Sequence, residues 1–211
     1  MSQPDLTLVQ VPEPSQVRSR QALERLLKAG EELLADNQFE EASVAEIASR
    51  AESSVGTFYR LLGDKETLSQ LLLQRFMQRL ADATASLRGA GADCRDLGEG
   101  VRLLTDTYID VYTGRRGVLR AVILRASRSA AFRDRVHQLN THISSTACDC
   151  LEPFLDQVLH DNPRQAVATG VHMVLGALNQ HTVTGTLGGL PAESLRREIA
   201  RLLLGYLRGP R

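Results

Sequence analysis

The sequence predicts an all-α protein on three observations. Strand signals are nearly absent, helical periodicity recurs from about residue 16 to the C-terminus, and the breaks between periodic segments fall at capping residues and glycines. Composition agrees with a folded chain: 211 residues with 43% hydrophobic and 24% charged content can bury a real core, as one large domain or a small one joined to a larger one. No run of about 18 apolar residues occurs, and "MSQPDLTLVQVPEPSQ" lacks the basic start and apolar stretch of a signal peptide. A cytoplasmic protein with no membrane partner is expected, its residues 1–15 forming a disordered arm.

The first helix carries Leu23, Leu26, Leu27, Gly30, Leu33 and Leu34 at three- and four-residue steps, with charged residues off that stripe. "ADNQF" breaks it. Ser43 then opens a short second helix, and Glu46, three residues on, completes a capping box; Val44, Ile47, Ala48 and Ala51 form the inner face. Ser54 caps a third helix over Val55–Leu62, which Gly63 ends. Asp64 caps a fourth, "KETLSQLLLQRFMQRLADATASL", whose Leu68, Leu71, Leu72, Phe76 and Leu80 face inward. "RGAGADCRDLGEG" reads as a Gly-rich hinge region. Beyond it, helices are expected at roughly 96–113, 117–127, 130–160, 163–186 and 192–208.

Twenty-five basic residues balance 25 acidic ones, so bulk charge gives no sign of a nucleic-acid partner, and any such binding must come from local placement of Arg and Lys. Two short helices joined by a few residues, the second opening with Ser and exposing small polar side chains, nevertheless form a helix-turn-helix pattern. Ser54, Val55, Gly56 and Thr57 are small enough to let backbone approach base edges. Thr57 can bond a base or phosphate, Tyr59 can reach a phosphate oxygen, and Arg60 can fork onto guanine or phosphate. Lys65 stands at the start of the fourth helix as a phosphate clamp. With Ser43, these are the candidate DNA-binding residues. The bland reading makes Arg60 a solvated charge, and Phe58 and Tyr59 diverge by about 100° on a helix, so Phe58 is assigned to the core and Tyr59 to the surface.

Residues 25–68 resemble the DNA-binding domain of the TetR family of transcriptional regulators, with Phe39 before the second helix, "EIA" at 46–48, "GTFY" at 56–59 and "DKETL" at 64–68. The resemblance implies a three-helix domain at 16–63 and a larger helical effector-binding and dimerisation domain at 64–211, entered by a linking helix at about 64–87. It also implies a homodimer formed through the last two helices. Two departures stand out: Glu52 occupies the turn where the family usually has Gly, and Leu61-Leu62 replace an aromatic pair. Within residues 1–80 acids outnumber bases, which weakens long-range attraction to phosphate; Arg18, Arg20 and Arg50 can offset this locally.

The C-terminal stripes Val167, Gly170, Val174, Ala177 and Leu195, Ile199, Leu202, Tyr206 are candidates for the dimer seam. An effector pocket would draw on Tyr108, Tyr112, Arg125, His137, Asn179 and His181, with His142 and His172 also polar residues in apolar surroundings. No metal or cofactor is expected: His137 and His142 miss the four-residue step, no HExxH or GxSxG occurs, and Cys94, Cys148 and Cys150 lack zinc spacing and read as idle thiols. The expected function is therefore non-enzymatic. The first reading is a DNA-binding regulator, a repressor released from a palindromic operator by a small-molecule effector. The alternative is a helical ligand-binding or protein-interaction module with a weakened DNA surface.

Overall fold

A computed structural model describes residues 4–12, 14–113, 116–185 and 190–209. Among these residues the regular elements are all helical. They are α1 (Val17–Ala35), α2 (Val44–Arg50), α3 (Val55–Leu62), α4 (Lys65–Ala85), α5 (Leu97–Tyr112), α6 (Arg116–Arg128), α7 (Ala130–Cys150), α8 (Pro163–Thr184) and α9 (Ala192–Arg208). Two 3-10 turns, Ala90–Asp93 and Glu152–Gln157, join some of them. No helix among the described residues is long and apolar enough to cross a membrane.

The chain divides into two compact units, the first made of Leu6–Gln78 with Arg115–Ser129, the second of Met1–Asp5, Arg79–Gly114 and Ala130–Arg211. The division expected at 63/64 thus moves. The first unit takes in the start of α4 and all of α6, because both pack on α1. At Gly30 of α1 a Cβ would come within 2.8 Å of Leu72 Cδ1 on α4. At Gly117 of α6 a Cβ would overlap the Leu34 carbonyl of α1, so α6 lies on bare backbone there.

Around α1 the apolar stripe read from sequence is buried, with Ile47 and Ala48 of α2, Phe58 and Leu62 of α3 and Leu68, Leu71 and Leu72 of α4 completing the core. Arg75 forks onto Glu24 with two bonds of 2.8 and 2.7 Å. The disordered arm expected at 1–15 is corrected over its described part: Leu6 is buried, and the Leu8 and Val9 amides both donate to Gln74 Oε1, at 2.7 and 3.2 Å.

In the second unit, the stretch expected as a hinge is a packed corner. Gly91 is buried, and a Cβ there would overlap the Cys150 carbonyl at the end of α7. The helix expected over 130–160 stops at Cys150; Pro153 cannot donate the amide a continuing helix needs, and a 3-10 turn follows. Gly185, at φ 67°, ends α8, and residue 186 lies outside the described residues. Arg196 on α9 pairs with Asp106 at 3.3 Å and with Asp110, both on α5.

Five of the residues expected at a dimer seam are corrected here. Val167, Gly170, Val174, Leu195 and Ile199 are buried within one chain. Gly170 explains the packing: a Cβ would come within 2.5 Å of Leu203 Cδ1 and 3.1 Å of Tyr206 Cδ1, so its small size admits α9 onto α8. Leu202 alone of the eight is exposed; Ala177 and Tyr206 are half-buried.

Candidate nucleic-acid interface

Ser43 and Ser54 each start a helix as the sequence suggested. The Glu46 amide donates to Ser43 Oγ at 3.2 Å, and the Thr57 amide donates to Ser54 Oγ at 3.1 Å. The capping box at α2 is only half made, because the Glu46 carboxylate receives Arg50 Nη2 at 3.4 Å instead of turning back to Ser43. Between the two helices the chain makes a paired cap: the Ser53 amide donates to Ala48 O at 2.9 Å and the Glu52 amide to Ser49 O at 3.0 Å. Glu52 itself adopts φ 47°, a left-handed conformation that favours Gly. Arg25 Nε reaches from α1 to Ala51 O at 2.9 Å and ties this turn down.

On α3 the two faces differ sharply. Phe58 is 0% exposed and Leu62 is buried, while Val55 is 41% and Tyr59 52% exposed, with Gly56 and Arg60 open beside them and Thr57 half-buried. Tyr59 makes an edge contact with Phe58, ring centroids 5.7 Å apart. Gly56 has no packing reason to be glycine, since a Cβ there would meet nothing nearer than Ser54 Oγ at 3.9 Å. A helical Gly costs about 0.5–1 kcal/mol against Ala, and here nothing inside the chain offsets that cost.

The polar candidates are partly engaged already. Thr57 Oγ1 lies 2.9 Å from Ser54 Oγ, and Arg60 Nη2 is 3.5 Å from Ser19 Oγ on α1, a contact at the limit of hydrogen bonding. Lys65 departs most from expectation. Its ammonium donates to Glu40 O at 2.7 Å and Ala42 O at 2.9 Å and lies 5.2 Å from the Phe39 ring centroid. Two of its three hydrogens therefore hold the chain that leads into α2, a role that the expected phosphate clamp did not include. Asp64 caps α4 through the Thr67 amide at 2.7 Å, a bond that also holds its carboxyl below the usual range.

The effector candidates separate into groups. Tyr108, Tyr112 and His181 are buried in the second unit, with Asn179 half-buried there. His137 is exposed on α7, which corrects its assignment to a pocket wall, and His172 is exposed on α8 with Nε2 3.4 Å from Ser144 Oγ. Arg125 belongs to the first unit, where it pairs with Glu66 at 2.7 Å, so it is not grouped with the others. Burial opposes ionisation of Glu66, but bonds from Arg125 and Gln70 outweigh it and hold the carboxyl below its ordinary value.

His142, a residue named only in passing from sequence, is the more telling one. Both its ring nitrogens, the Tyr108 hydroxyl and Asn179 Oδ1 are buried with no hydrogen-bond partner among the described residues. Burial, and then the Arg88 charge, lowers the His142 pKa, which favours the neutral form of the ring; burial raises that of Tyr108. A buried polar atom left unpaired costs about 1–3 kcal/mol, so each of these calls for a water or a ligand atom.

Comparison with known proteins agrees with this architecture. The profile described as "Bacterial regulatory proteins, tetR family" matches residues 26–71, and that described as "Tetracyclin repressor-like, C-terminal domain" matches 96–207, more than half of the chain. No curated protein matches. Among solved structures, a TetR-family transcriptional regulator from Mesorhizobium loti is 18% identical, with a TM-score of 0.71 over 91% of this chain and 98% of that one. The fatty acid degradation regulator FadR from Bacillus halodurans is 16% identical, with a TM-score of 0.65 over 94% and 100%. PfmR from Thermus thermophilus is likewise 16% identical at 0.65, over 88% and 98%. Identities this low carry the fold. With one profile on the helix-turn-helix and the other over more than half of the chain beyond it, the chain belongs to the TetR family of DNA-binding transcriptional regulators.

Proposed function

We propose that the protein is a cytoplasmic, homodimeric repressor that reads a palindromic operator and leaves it when a small molecule binds the second unit. The observation that carries this reading is the outer face of α3, where Val55, Gly56 and Tyr59 stand open and Gly56 serves no internal contact. Such a face suits a major groove, with half-sites ~34–36 Å apart on a two-fold axis. Thr57 would exchange its bond to Ser54 for a base or phosphate, and Arg60 would leave its weak contact with Ser19. Lys65 acts chiefly by fixing the approach to α2 and keeps one hydrogen for a phosphate.

The outward sides of α8 and α9 suit dimerisation. Met173 and Leu202 are exposed there, and at Gly176 and Gly205 a Cβ would meet nothing within 4 Å, which leaves room for a second chain to come close. The unpaired Tyr108 hydroxyl, His142 ring and Asn179 carbonyl oxygen support an effector site in the second unit. Release from DNA then requires an effector that binds the non-reading state more tightly, since equal affinity for both states shifts nothing.

Glu52 and the surplus of acids in residues 1–80 favour the second reading, a ligand-binding module whose DNA surface is weak. Fluorescence anisotropy on palindromic promoter DNA decides between them. Under the repressor reading Gly56→Leu folds as well as the parent yet loses binding, Thr57→Ala weakens it, and affinity falls steeply with salt. Undiminished binding by Gly56→Leu overturns the assignment of α3. A flat salt response from the parent chain favours the module.

A further inference from the structure

We propose that a cleft within the first unit, walled by α1, α4 and α6, binds a small organic anion with an apolar body. The cleft measures about 580 Å³, within the range of small-molecule sites. Its distinctive wall is α6, whose Gly117, Arg120, Ala121, Leu124, Arg125 and Arg128 fall at three- and four-residue steps and so share one face. Leu124 in the middle of that face is 49% exposed, an apolar side chain without cover. Across from it, buried Phe39 and Leu73 form an apolar floor.

Charge selects the ligand's head group. Arg125 is neutralised by Glu66, but Arg120 has only the neutral Asn37 Oδ1 at 3.1 Å, and Arg128 pairs with no acid among the described residues. Glu40 is the other carboxylate of the lining, which leaves the cleft with one positive charge in excess. Guanidinium forks favour oxyanions, whose paired oxygens accept two parallel bonds. An apolar floor beneath two guanidiniums that lack carboxylate partners therefore fits an amphipathic anion better than a sugar, a cation or a wholly apolar molecule. This site is separate from the effector site proposed in the second unit, and its existence does not depend on DNA binding.

The test titrates the full-length protein with 8-anilinonaphthalene-1-sulfonate, an amphipathic anion, and with neutral N-phenyl-1-naphthylamine, following fluorescence. Saturable binding of the anion, tighter than that of the neutral dye, is expected. Arg128→Glu, at a side chain that supports no described contact, should weaken the anion about tenfold and leave the neutral dye and the melting temperature unchanged. Leu124→Glu should weaken both dyes. The proposal is overturned if the two dyes bind the parent chain alike, if the anion does not saturate, or if Arg128→Glu binds it as the parent does. It is equally overturned if Tyr108→Leu in the second unit abolishes anion binding while Leu124→Glu spares it.

Discussion

Helices α1 and α2 end in the same way, and the contrast between the two ends separates what folding requires from what it merely tolerates. After α1, the Gln38 amide donates to Leu33 O at 2.8 Å and the Asn37 amide to Leu34 O at 3.2 Å. After α2, Ser53 and Glu52 repeat that pattern on Ala48 and Ser49. Each end needs one left-handed residue, Asn37 at φ 60° and Glu52 at φ 47°. Asn enters that region readily and here also accepts a bond from Arg120, whereas a Glu there is strained and makes no described side-chain contact. The first end is built for stability. The second carries a residue that local folding would not choose, beside the face proposed to meet DNA.

The ends also differ in their anchors, and removing these should give the largest effects. Gly117→Ala puts a methyl into the Leu34 carbonyl, where backbone meets backbone and neither side can turn away. Overpacking of about 3 kcal/mol, less about 1 kcal/mol for the better helix former, leaves a net loss near 2 kcal/mol, or about 4–8 °C in melting temperature. Differential scanning calorimetry measures it; an unchanged melting temperature would show that α6 does not hold the end of α1. Arg25→Met, which strips the partly buried bond to Ala51 O at the other end, should cost about 1–2 kcal/mol by urea unfolding. A loss under about 0.5 kcal/mol by the same measure, the floor for a hydrogen bond, would mean the α2 turn stands without its tie.

The same contrast marks what was legible in the sequence. The core stripe of α1, the Ser43, Ser54 and Asp64 caps and the stop at Gly63 rest on local chemistry, and each occupies its place in the fold. The packing of α6 on α1 was not legible, because Gly117 resembles any other helical glycine until the facing carbonyl is known. For the same reason the α8 and α9 stripes suggest a seam between chains: periodicity shows that a face is covered but not by what, and Gly170 admits α9 of its own chain. Lys65 was legible as a cation near a helix start. Its carbonyl acceptors, 25 and 23 residues upstream, were not.

The smallest effect is also the sharpest test of the comparison. Glu52→Gly relieves a left-handed non-glycine residue and should stabilise the chain by about 1 kcal/mol, less the entropy that glycine adds to the unfolded state. Asn37→Gly relieves little, since Asn tolerates the conformation, and it forfeits the Arg120 bond, so a change within about 0.5 kcal/mol of zero is expected. Urea unfolding of the two variants side by side cancels the shared effect of glycine on the unfolded chain, leaving the difference between the ends. If Asn37→Gly gains as much as Glu52→Gly, the left-handed Glu is no more strained than the Asn, and the contrast fails. If only Glu52→Gly gains, and its affinity for operator DNA rises with it, the anion in the turn weakens phosphate attraction as well as local stability.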